Sequence, residues 1–138
     1  MAGYLQKKNW LMRYRECGQD VEDLQLEYKQ LQALLKQQEN DVSMCDVGTK
    51  KKRKEKNDER LYEVQAKIAY CQRRMVEISD EIALAINRLK DAQQRSVLLS
   101  IYLGGATFEV VAHELHRGKN WVKSRHDAAL ELLEIPEK

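Results

Sequence analysis

Apolar and aromatic residues return along this chain in alternating steps of four and three, and nothing else in it constrains the fold as much. Trp10, Tyr14, Cys17, Val21, Leu24, Tyr28, Leu31 and Leu35 form one such series. Leu61, Val64, Ile68, Cys71, Met75, Ile78, Ile82, Ala85 and Leu89 form a second. A repeat averaging 3.5 residues puts each series on one stripe of an α-helix, the seam of a coiled coil. Between them the period lapses over VSMCDVGTKKKRKEK, a stretch with a glycine and a charge run, so the connection is expected near residues 41–57. Leu35 and Leu61 lie equally far from residue 48. Folding back there joins the seams as an antiparallel hairpin about 40 Å long. Pairing the same seams between two copies buries similar surface, so a homodimer stands beside the self-paired hairpin. In either arrangement these residues pack, with Cys17 and Cys71 as small apolar members.

Composition points the same way. In 138 residues, one Pro and six Gly leave few places to turn, while 7% aromatic and 33% charged residues suit an all-α chain. That length holds one domain, or a small domain with an extension. An apolar share of 43% argues against disorder, and no run approaches the roughly 18 apolar residues that cross a bilayer. The start, MAGYLQKKNWLMRY, has no continuous apolar segment and no small-residue cleavage site, so a cytoplasmic location is expected. Three cysteines, Cys17, Cys45 and Cys71, show no C-x-x-C spacing, which suggests neither a disulfide framework nor a zinc knuckle. The net charge is +2, too small to imply a polyanion partner by itself. Its distribution says more. Residues 50–60 hold seven basic and three acidic residues, and residues 117–126 hold four basic and none acidic. The first run reads as a solvated loop in preference to a phosphate-contacting finger.

After Leu89 the layout changes to RSVLLSIYL, Gly104 and Gly105, TFEVVAHEL, HRG and KNWVKSRHDAALELLEI. Three short helices are expected, dividing the chain into a coiled-coil hairpin at residues 1–90 and a trihelical helix-turn-helix unit at residues 91–138. Thr107 suits an N-cap, with Glu109 in the first turn where the helix dipole favours an anion. Val111, Ala112 and Leu115 face inward, and His116, Arg117 and Gly118 make the turn. In the last helix Val122, His126, Ala129, Leu130 and Leu133 pack, while Lys119, Asn120, Lys123, Ser124 and Asp127 face out. A recognition helix needs donors to base edges and phosphates near its start. Asn120 can pair bidentately with adenine, Lys119 and Lys123 can reach guanine or phosphate, and Ser124 can contact either. Arg117 and Arg125 are expected on phosphates. Trp121 is expected to wedge against a neighbouring helix. The HELH string lacks the i, i+4 histidine spacing of a zinc-binding helix, and no phosphate loop or nucleophile motif is present, so neither metal, cofactor nor catalysis is expected.

From Ile86 onward the chain resembles the promoter-reading fourth region of sigma factors, and more closely the phage-encoded, ArpU-type sigma-like transcriptional regulators. The resemblance rests on Leu89, Asp91, Arg95, Leu98, Tyr102, Gly105, Thr107, Glu109, Val111, Ala112, Leu115, Val122, His126, Ala129, Leu130 and Leu133. It implies a regulator of phage or prophage genes, an activator of a late operon, that binds promoter DNA in the bacterial host cytoplasm. Double-stranded DNA is the implied partner and host RNA polymerase a second. The chain departs from that pattern at His116, where the turn usually has Gly, and at Gly118, where Ser or Thr would cap the last helix. A helix-turn-helix beside a coiled coil also suits a phage assembly protein, such as a small DNA-packaging (terminase) subunit. A coiled-coil adaptor with no DNA role is the third reading.

Overall fold

The computed structural model describes residues 2–41 and 47–136. Among the described residues there are helices and no strands. α1 spans Tyr4–Asp41, α2 Val47–Asn87, α3 Ala92–Leu98, α4 Phe108–Leu115 and α5 Lys119–Leu132. A π-helical turn, Leu99–Leu103, continues α3. Among the described residues no helix is long and apolar enough to cross a membrane.

One expectation changes here. The basic run expected in a loop is helical, because α2 already begins at Val47. Losing the apolar period removes the seam but not the helix: Lys, Arg and Glu are good helix formers, and no proline interrupts them. Residues 42–46, and with them Cys45, lie outside the described residues. Contacts group Met1–Glu16 with Met75–Lys138 as one compact unit and Cys17–Arg74 as another. The heptad marks only one stripe of each long helix. It does not register that the first of these units also contains three further helices.

In the unit Cys17–Arg74, Val21, Leu35 and Val64 are buried and the other seam members half-buried. Leu26, Leu34, Tyr62 and Tyr70, all off the stripe, are exposed. Asn57, four residues ahead of Leu61, is only 6% exposed and carries the seam one step further than apolar residues alone reveal. The Cys17 thiol donates to the Cys71 carbonyl at 3.3 Å, and Gln65 Nε2 donates to the Tyr28 hydroxyl at 2.9 Å. Burial pushes the Cys17 thiol above its ordinary pKa, which keeps it protonated and unreactive at neutral pH.

In the other unit the seam members Ile78, Ile82, Ala85 and Leu89 are buried, and so are Leu11 and Ile86 beside the stripe. A two-helix seam alone gives such flanking positions no cover; α3, α4 and α5 belong to the same unit. Arg13 pairs with Glu81 at 2.8 Å, and Arg95 Nη1 donates to the Leu89 carbonyl at 2.6 Å. Asp91 caps α3, accepting from the amides of Gln93 at 2.8 Å and Gln94 at 3.2 Å. The π turn closes through Gly104 N–H to Leu99 C=O and Ala106 N–H to Ser100 C=O, each 2.9 Å. A Cβ on Gly104 would stand 2.7 Å from the Ser100 carbonyl oxygen, and Gly105 has a φ of 71°. Each position requires glycine for its own reason, the first for a close approach and the second for left-handed backbone.

Candidate nucleic-acid interface

α4 begins as the sequence predicts: Thr107 Oγ1 accepts from the Val110 amide at 3.2 Å, and Glu109 lies in the first turn. Its end is set by His116, whose φ of 55° is left-handed. The His116 amide returns to His113 C=O at 3.3 Å and the Arg117 amide to Ala112 C=O at 2.9 Å, the paired bonds of a Schellman motif. This turn aims the chain into α5, whose N-cap is Gly118 with no side-chain capping bond.

α5 packs on α3 and α4 through Val122, His126, Ala129 and Leu130, all buried, with Leu133 buried just beyond its end. Its remaining surface carries three adjacent stripes, each of residues one turn apart. Lys119 and Lys123 form a cationic stripe, Asn120 and Ser124 a polar one; all four side chains are exposed. Trp121 and Arg125, both half-buried, form the third. Exposed Arg117 joins it from the turn: its guanidinium lies 5.1 Å, and that of Arg125 5.3 Å, from the Trp121 ring centroid. All six residues expected to contact DNA thus lie on this side of α5 or in the turn before it. Lys119 is not idle, since Nζ donates to Glu109 Oε1 at 3.1 Å. That bridge is exposed on both sides and exchanges readily for another anion.

The helical period makes His126 a seam residue standing in for an apolar one. It is 1% exposed, but it is the centre of a polar network. Its Nε2 lies 2.6 Å from the Tyr102 hydroxyl, and its Nδ1 lies 3.0 Å from Asp127 Oδ1. The Tyr4 hydroxyl donates to the same carboxylate oxygen at 3.0 Å. An ionised carboxylate only accepts, so Nδ1 carries the proton and Nε2 accepts from Tyr102. Burial holds the imidazole below its ordinary pKa, against the opposing pull of Asp127. Burial also raises the Tyr102 phenol, while the bond from His126, followed by that from Tyr4, lowers the Asp127 carboxyl. The Phe108 ring meets the imidazole edge-on at 5.1 Å. Asp127, expected to face outward, is half-buried and turned into this network. The network fixes the angle of α5 by tying it to α1 and the π turn. One sequence signal existed: a His-Asp pair beginning on a packed face needs polar partners.

His113 and His116 are exposed while His126 is buried, and among the described residues no group of three or more His, Cys, Asp or Glu side chains could hold a metal ion. No family model, curated protein or solved structure matches this chain.

Proposed function

We propose that the protein is a sequence-specific, double-stranded DNA-binding regulator of phage or prophage transcription, an activator of a late operon. In this reading α4, the His116–Gly118 turn and α5 form a helix-turn-helix, with α5 in the major groove. The exposed half of α5 carries the proposal: cationic, amide-hydroxyl and aromatic-cationic stripes begin directly after a tight turn, on a helix whose other half is anchored by packing and by His126. Asn120 reads adenine, Lys119, Lys123 and Ser124 contact base edges or phosphates, and Arg117 and Arg125 hold the backbone. The long helices form an antiparallel coiled-coil hairpin that pairs with a second copy or docks on host RNA polymerase. The Cys17–Cys71 and Tyr28–Gln65 contacts support the antiparallel direction.

Capturing fragments of the source genome on the purified protein at about 150 mM salt tests this reading. The expected result is enrichment upstream of a gene block, abolished when Asn120 and Lys123 are both changed to Ala. Uniform capture or none overturns it; capture at a single packaging-type site by a protein that forms a high-order ring in solution points to the assembly role.

A further inference from the structure

We propose that Trp121 is a positioning residue, holding Arg117 and Arg125 as a preformed pair of contacts to successive phosphates of a duplex backbone; this rests on the DNA-binding reading above. The three residues stand four positions apart, Arg117 in the turn and Trp121 and Arg125 on α5, and both guanidinium carbons lie within 5.3 Å of the Trp121 ring centroid. In the same unit Arg13 donates to a carboxylate, and Arg15 and Arg95 donate to carbonyls. Among the described residues Arg117 and Arg125 have no oxygen partner at all, yet one ring gathers them. Two like charges brought together without a counter-anion repel each other, and stacking on an indole face offsets that repulsion while leaving the N–H edges free. A polyanion with regularly spaced phosphates is the ligand that such a pair suits. A long arginine side chain ordinarily loses rotamer freedom on binding, and the stack has already restricted both before the ligand arrives. Trp121, itself half-buried, would therefore act on the duplex through its two neighbours.

The test uses the full chain and a mixed-sequence duplex, with Kd measured across a range of salt concentrations for wild type, W121L, W121F, R117A/R125A, and the triple variant. Changing both arginines should reduce the slope of log affinity against log salt by about 2, since each phosphate that is no longer neutralised removes about 0.9. W121L should weaken binding several-fold at low salt while leaving the ranking of different duplex sequences unchanged, and W121F should recover most of the affinity. In the triple variant W121L should cost nothing further, since the arginines it positions are gone. Additive effects, or an altered sequence ranking in W121L, overturn the proposal. So does an unchanged salt slope in R117A/R125A, with wild-type binding intact. Wild type that binds no duplex at any salt overturns the DNA-binding reading itself, and this inference with it. If W121L melts before it can be measured, W121F and the arginine pair still decide: a slope unchanged in R117A/R125A, or a W121F defect that persists without the arginines, refutes it.

Discussion

His126 is buried with its ring uncharged, so its contribution to stability depends on pH in a definite direction. Its imidazole is held below the ordinary value by burial. Above about pH 6.5, where the unfolded chain also carries a neutral ring, that stability is fully present, and it is lost as pH falls through and below that value. The Asp127 carboxyl, lowered chiefly by the His126 bond, works in the same direction in the acid range below about pH 4. Thermal melts should therefore show a lower midpoint at pH 5 than at pH 7.5, and His126→Gln, which does not titrate, should flatten the difference. At either pH that variant should be weaker by about 1–3 kcal/mol, because Tyr102 loses its buried partner. A pH difference in the variant as large as in wild type would show that the effect arises elsewhere. His116 makes the opposite case. Its left-handed φ of 55° costs roughly 1 kcal/mol for an L-residue, partly recovered through the smaller entropy of a non-glycine unfolded chain. His116→Gly should raise stability by about 0.5 kcal/mol, measurable by urea titration. The turn itself was legible from its composition. The sign of φ was not, since an exposed His carries no marker of the backbone beneath it.

At the scale of elements, the starts and ends of the short helices obey local chemistry and could be read in advance, at Thr107 above all. The π turn after α3 could not. Gly104 lets the chain pass so close to Ser100, four residues back, that a Cβ would sit 2.7 Å from a backbone oxygen, a detail of backbone path that a glycine pair in a sequence announces only as a turn. Gly104→Ala should lower the thermal midpoint more than Gly105→Ala. The first forces backbone to shift, whereas the second meets no atom and bears only the left-handed cost of about 1–2 kcal/mol. Equal effects, with half-buried Ser100→Ala as the side-chain control, would remove the close approach as the cause. The long helices show the same division. Every seam residue from Trp10 to Leu35 and from Leu61 to Leu89 is buried or half-buried, because a period is a local property that sequence displays directly. Asn57 escaped because it is polar at a seam position, the place where an amide more often sets register than adds stability.

For the whole molecule, what sequence alone withheld is whatever depends on distant partners. Tyr4 reaches Asp127 across 123 positions of chain, and no pattern near either residue encodes that bond. The two compact units are of the same kind, since their division follows contacts rather than composition. Charge is the property that spans both. With a net charge of only +2, general attraction to a polyanion is weak, so duplex affinity must come from local groups. Two candidates exist, the α5 face and the basic start of α2. The latter carries its charge at the end of a helix where the dipole already disfavours cations. Lys51, Lys52, Arg53 and Lys54 are exposed, in keeping with a solvated surface that limits self-association. Changing these four to Gln should leave the salt slope of duplex binding intact, while changing Arg117, Lys119, Lys123 and Arg125 to Gln should flatten it by about 3–4 per protomer. If instead the α2 changes remove the slope, the nucleic-acid surface lies on the long helix, and the exposed face of α5 must be assigned to another partner.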